Sequence, residues 1–224
     1  MAAKKKYTKK YSMSDKGYEA LMKFEGAFGK VYDDLASGDE KRRGMVDCYS
    51  ARGTPTIGVG HVVYHTGSWH RDECDRFKDY FRDGKTMTKE QMIQLMKEDI
   101  PKYEKYIDQD LQVPITQEMY DALVNMVFNT GGYEPSFKRA LALTNQKKWK
   151  EAAEAIRTGD TKGGLKGVIR RRKEEAEMYL SGGLPDFWSN YGKTILISAS
   201  ILILLGGTTY GIKHFQSKKK KRKR

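Results

Sequence analysis

Apolar positions recur at helical spacing through most of the second half of the chain. In "KEQMIQLMKEDIPKYEKYI", Met92, Leu95, Met96, Ile100 and Tyr103 fall three or four apart, which makes one face of a helix. Thr88 and Gln91 ahead of them form a capping-box pair, and Pro101 is expected to kink or divide the element. "QEMYDALVNMVFNTGG" repeats the pattern through Tyr120, Leu123, Met126 and Val127, opened by Thr116 and stopped by Gly131. Two more helices follow. Trp149, Ala153 and Ile156 form the core stripe of "QKKWKEAAEAI", and Val168, Ile169, Ala176 and Leu180 that of "LKGVIRRRKEEAEMYL".

The first half has another texture. A helix starting near Ser14 carries Tyr18, Leu21 and Met22 and ends between residues 26 and 29. "KVYDD" and "TPTIGVGHVVY" are rich in Val, Ile, Thr and Tyr and read as the two strands of a hairpin. The segment "LASGDEKRRGMVDCYSARG" between them is far too long for a tight turn. An insertion at a hairpin tip leaves both strands in place, so this charged stretch is expected as a surface loop that could cap a cleft. The fold class is α+β and mostly helical: a small β-hairpin lobe, a helical lobe, and a cleft between them for a substrate.

Charge changes the picture only at the ends. The net charge of +13 suggests nucleic acid, yet residues 1–12 hold five Lys and residues 213–224 hold eight Lys or Arg, with no acid in either. Removing those thirteen leaves 29 basic residues against 29 acidic ones, so a basic groove across the body loses its support. Residues 194–212 run uncharged for 19 positions, flanked by Trp188, Tyr191, Tyr210 and Phe215, and this is close to the ~20 residues that cross a bilayer as a helix. The resulting division is a basic arm over 1–13, a domain over 14–182, a linker over 183–193, a transmembrane helix over 194–212 and a basic tail over 213–224. The tail suits anionic lipid or genomic nucleic acid. Residues 1–15 lack the apolar core of a cleavable signal.

Cys48 and Cys74 are too few for a disulfide framework and lack C-x-x-C spacing. With His65 and His70 nearby a metal site is disfavoured against two ordinary thiols, and whether Cys48 and Cys74 pair is left open by the sequence.

Glu25 at the end of the first helix, Asp34 nine positions later, then Thr56 in "TIGVGH", resemble the signature of the phage-type lysozymes, glycoside hydrolase family 24. "ITQEMYDALVNMVFNTG", Phe137 with Leu141, "QKKWKEAA" and "GLKGVIRRRKEEAEMYL" resemble that family's helical lobe independently, and the likeness covers residues 14–182. It implies a lysozyme-like two-lobe fold and a cofactor-free muramidase that cuts the β-1,4 MurNAc–GlcNAc bond of peptidoglycan with inversion. Glu25 would then be the acid that protonates the leaving oxygen, its pKa raised by partial burial. Asp34 would be its partner and Thr56 the residue that places the water, with Val62 and Phe128 lining the cleft. The resemblance also implies that one of Arg170, Arg171 and Arg172 holds Glu25, the other two being solvated.

The insertion leaves the second carboxylate open. Counting forward from Glu25 gives Asp34, whereas counting back from Thr56 gives Ser50, with Cys48 and Asp47 beside it. Asp34 is favoured because the end of the first strand still approaches Thr56 across the ladder, and Asp33 should face the other way. His61 reads as a structural histidine paired with an acid. Ala140 and Ala155 fall where the family has polar cleft residues, which keeps a non-catalytic wall-binding virion protein in play, with a lytic transglycosylase third. The anchor fits either a lysis enzyme at the host inner membrane or an entry enzyme in a virion's internal membrane, the latter preferred for its basic tail.

Overall fold

The computed structural model describes residues 10–63, 71–161 and 164–185. Helix α1 spans Asp15–Glu25; the Ser14 side chain accepts the Gly17 N–H at its start, and Gly26, at φ 76°, turns the chain at its end. A three-stranded antiparallel sheet follows, ordered β1 (Phe28–Asp33), β2 (Pro55–Gly58), β3 (His61–Val62). The expected hairpin thus gains a strand, because Gly58 and Gly60, at φ 63° and 73°, fold the "TIGVGH" run back on itself. The register sets Tyr32 opposite Thr56 and Thr56 opposite Val62, so these three share one face. Val31, Ile57 and Val63 point the other way into a cluster with Met45, Cys48, Phe77, Met92 and Leu95.

The insertion is not a plain loop. Ser37 and Glu40 form a complete capping box that starts helix α2 (Gly38–Arg43), and Gly44 ends it. The chain then returns through buried Met45 and a 3-10 turn, Cys48–Ser50, in which the Tyr49 and Ser50 N–H groups donate to Asp47. Packing of Met45 and Cys48 beneath the sheet brings Cys48 to helix α3 (Arg71–Arg76), where it is disulfide-bonded to Cys74. The two cysteines, whose pairing the sequence left open, are therefore not ordinary thiols, and among the described residues no group of His, Cys, Asp and Glu could hold a metal.

The helical lobe is built from α4 (Lys89–Asp99), α5 (Pro101–Asp108), α6 (Gln117–Thr130), α7 (Pro135–Asn145), α8 (Trp149–Thr158) and α9 (Lys166–Ser181). Pro101 divides α4 from α5 at Ile100 by taking the first position of the second helix. Helix α6 is buried over Met119–Val127 and forms the centre of the lobe, with α1, α5, α7 and α9 against it. Ala140 and Ala155, expected at the cleft, are core residues of α7 and α8.

Helix α9 departs from its expected stripe. Ile169 is 46% exposed and Leu180 also faces out, while Arg171, Arg172, Glu175, Ala176 and Tyr179 are buried. Charged side chains line that face as ion pairs, Arg171 and Arg172 both donating to Glu175 Oε1, and Tyr179 shares a 2.7 Å hydrogen bond with Thr144. Residues just ahead of α1 also contact the helical lobe. Tyr11 stacks on Tyr120 and hydrogen-bonds the backbone of Ile115 through its hydroxyl, and the Met13 N–H donates to Glu104. The candidate span 194–212, its flanking aromatics, both charged ends, His65 and His70 lie wholly or largely outside the described residues. Among the described residues, no helix is long and apolar enough to cross a membrane.

Candidate active site

Glu25 is the last residue of α1, and both ends of that helix are tied to the helical lobe. At the N-terminus, Asp121 of α6 accepts the Ser14 N–H at 3.0 Å and also the Ser14 hydroxyl. At the C-terminus, Arg171 donates from Nη1 to Glu25. The Arg171 guanidinium lies 5.2 Å from the centroid of the Phe24 ring, donates from Nη2 to the Asn125 carbonyl at 3.0 Å, and pairs through Nε with Glu175 at 2.8 Å. Every nitrogen of that fork is engaged, so the cation facing Glu25 has a fixed direction.

The question of which arginine holds Glu25 is thereby answered. Arg170 is solvent-exposed, but Arg172 is fully buried and donates to Glu175 at 2.9 Å and to Asn129 at 3.1 Å. The expectation that both remaining arginines are solvated is corrected for Arg172. Positions 171, 172 and 175 are spaced i,i+3 and i,i+4, a signal that charge alone disguised as a solvated face.

Across the sheet, the two neighbouring aspartates have separate tasks. Asp33 is 8% exposed and accepts the backbone N–H groups of Leu35, Arg52 and Gly53 at 2.9, 2.9 and 3.1 Å, so it clamps the returning end of the insertion. Burial works against its charge, but those N–H groups and the Arg52 guanidinium outweigh it and lower its pKa below the usual aspartate value. Asp34 is exposed; it accepts the Thr54 N–H at 2.7 Å, and its own N–H donates to the Thr54 carbonyl. Gly53 is required here, since a Cβ on it would stand 2.0 Å from Asp34 Oδ1 and 2.9 Å from Asp33 Oδ1.

Tyr32, Thr56 and Val62 share one face of the sheet by strand alternation, and Asp34 follows the last residue of β1 in a turn. Tyr32 lies between the candidates: its phenol is pushed up to about 12, first by burial and then by the charges of Glu25 and Asp34. The Thr56 hydroxyl donates to the Thr54 carbonyl at 3.0 Å, which leaves its lone pairs to accept from a water. Val62 is exposed beside Thr56, and the Phe128 ring lies 4.8 Å from that of Tyr103, tilted by 47°, beneath the Gly60 turn.

The rivals of Asp34 have other work. Cys48 is in the disulfide, Asp47 caps the 3-10 turn, and the Ser50 hydroxyl donates to the Asp47 carbonyl. His61 lies between two acids, Nδ1 2.8 Å from Asp99 and Nε2 3.2 Å from Glu73, an arrangement only the doubly protonated ring satisfies on both sides. Burial opposes that charge, but Asp99 and Glu73 outweigh it and the imidazole pKa is raised. Sequence reasoning did not find the Glu175–Asn125 support, the Tyr32 position or the Asp33 clamp; the paired acids "DD" were the only local signal for the last.

A helical lobe beside a small three-stranded antiparallel sheet, with a helix-end glutamate paired to a buried arginine, is a fold of lysozyme type. The chain belongs to the phage lysozyme family, whose model matches residues 22–175, and with that membership it is a glycoside hydrolase of the muramidase class. It is similar to the endolysin of Salmonella phage P22, 30% identical over 171 residues, which cover 75% of this chain and 98% of that protein. The endolysin of Acyrthosiphon pisum secondary endosymbiont phage 1 is 26% identical over 75% of this chain and 98% of its own length. Among solved structures, a P22 lysozyme mutant matches with a TM-score of 0.55 at 28% identity, covering 76% of this chain and 99% of that one. An endolysin from Escherichia coli O157:H7 phage FAHEc1 matches at 0.53 and 26%, covering 80% and 99%.

Proposed function

We propose that this chain is a peptidoglycan hydrolase that cleaves the β-1,4 bond between N-acetylmuramic acid and N-acetylglucosamine, with Glu25 as general acid. The observation that supports the proposal is the Arg171–Glu25 pair, with Glu25 and Asp34 both close enough to act on the phenol of Tyr32, the residue paired with Thr56 across the sheet. Glu25 protonates the leaving oxygen; Asp34 takes a proton from a water that also donates to the Thr56 hydroxyl, and the water attacks the opposite face of the sugar. Attack from that side inverts the anomeric centre. Glu25→Gln is expected to lower the release of reducing ends from purified peptidoglycan at least a hundredfold while leaving the melting temperature in place. Wild-type turnover by that variant sinks the assignment.

A non-catalytic wall-binding protein is the second reading, but its motive weakens because Ala140 and Ala155 are core residues. A binder would retain the polymer without cutting it, and a transglycosylase would leave anhydro ends visible by mass spectrometry. The uncharged run 194–212 and the basic tail support a further part of the proposal, a lysozyme carried on a membrane in the virion. Its absence from purified particles, together with recovery from the host inner membrane, would transfer the role from entry to lysis.

A further inference from the structure

A cavity of about 520 Å³ lies on the helical lobe, and none of Glu25, Asp34, Thr56, Val62 or Phe128 lines it. That volume falls within the roughly 300–1,000 Å³ of ligand pockets. Tyr106 from α5 and Tyr133 from the α6–α7 turn form one wall, with ring centroids 5.6 Å apart and planes at 77°. Tyr133 is 77% exposed, unusual for a large ring, yet it is held in place by Tyr106 and by the Lys138 ammonium 5.1 Å from its centroid. Gly132 is part of the construction, because a Cβ on it would stand 2.1 Å from the Tyr106 ring. The rim is fixed where Asn145 accepts the Gln112 N–H and donates to the Asp110 carbonyl, both at 2.8 Å. The Gln109 and Gln146 side-chain amides also line the cavity and make no hydrogen bond to another described residue.

Aromatic side chains of α5 lie between Phe128 and the cavity. Phe128, beneath the Gly60 turn, packs against Tyr103; Tyr106 is one turn further along α5 on the same side, and Tyr133 is next. Exposed ring faces beside amides that can both donate and accept suit a sugar, with its apolar C–H face and its ring of hydroxyl and acetamido groups.

We propose that this cavity is a second glycan-binding site, which takes an N-acetylated amino sugar of the wall strand beyond the stretch seated at Glu25 and Asp34. Tyr133 supplies the stacking face, and Gln109 and Gln146 bond the polar groups. The inference rests on the peptidoglycan reading above and extends it from one bond to the strand that carries it.

The test measures binding by the full-length chain with Glu25→Gln, which prevents turnover, with and without Tyr133→Ala or Tyr133→Phe. The probes are long glycan strands stripped of peptide, the same strands with peptide stems, and an oligosaccharide that fills the cleft alone. Tyr133→Ala is expected to weaken binding of stripped long strands about three- to tenfold and of the short oligosaccharide less than twofold, and Tyr133→Phe to restore the long-strand affinity. Equal loss on long and short probes, or no loss on long ones, overturns the site. Loss confined to peptide-bearing strands overturns the sugar assignment in favour of the stem peptide. Melting curves of each variant separate loss of a site from loss of the fold. Failure of the chain with native Glu25 to release reducing ends from these strands would defeat the muramidase reading, and the binding series would still report on the cavity.

Discussion

Asp33 and Asp34 are neighbours in sequence, and substituting each by asparagine separates an acid that clamps the backbone from the one proposed to react. Asp33 accepts three backbone N–H groups with both oxygens while nearly buried. In Asp33→Asn one oxygen becomes an NH2 group facing a donor, and the charge that strengthens all three bonds is gone. Charge-assisted hydrogen bonds contribute about 1.5–3 kcal/mol each, and the amide keeps part of them, so the expected loss is about 3 kcal/mol. For a domain of this size that lowers the melting temperature by roughly 6–12 °C. Asp34→Asn keeps its exposed acceptor for the Thr54 N–H, so its stability should change by less than about 0.5 kcal/mol, whereas reducing-end release should fall at least a hundredfold. Because the Asp33 pKa is lowered in the folded state, its contribution is complete above the unfolded value near 3.8 and is lost as the pH falls through the folded one. Thermal melts at neutral and acid pH, beside turnover, measure both effects. An Asp33→Asn protein that melts with the wild type, or an Asp34→Asn protein that turns over normally, refutes the division of labour.

Three further outcomes are expected. Replacing Cys48 and Cys74 by serine opens a link across 26 residues and should cost about 3.5 kcal/mol, the loop-closure value for that span; turnover at low temperature should survive, and its loss without unfolding would return Cys48 to the chemistry. His61 has a raised folded pKa, so the stability from its two acids is complete below the unfolded value near 6.5 and is lost as the pH rises through the folded value; melting temperatures across about pH 5.5–8.5 should fall for the wild type and stay level for His61→Gln. Arg171→Met removes the partner of Glu25 and one of two cations on buried Glu175, and is expected to cost about 2–4 kcal/mol and at least tenfold in kcat; unchanged kcat in a folded variant would show that Glu25 needs no such support.

Local signals were enough for much of the fold. The cap at Ser14, the capping box at Thr88, Pro101 and Gly131 mark ends that depend on nearby backbone groups alone, and the structure places helix ends at each. The capping box of Ser37 and Glu40 was equally legible and was obscured by the charge around it. The extra strand was hidden because an unbroken β-like run does not show where glycines reverse the chain.

The sequence by itself determined the helical lobe, the family signature around Glu25 and Thr56, and the neutrality of the body between two basic ends, since periodicity, caps and charge counts are properties of neighbouring residues. Tertiary structure alone decided which arginine meets Glu25, that Cys48 is joined to Cys74, and which of two adjacent aspartates is buried against backbone N–H groups and which is exposed. Those choices belong to residues between 20 and 146 positions apart that meet only after the lobes pack. Burial, hydrogen bonding and strand alternation then assign different tasks to side chains that look alike in the sequence.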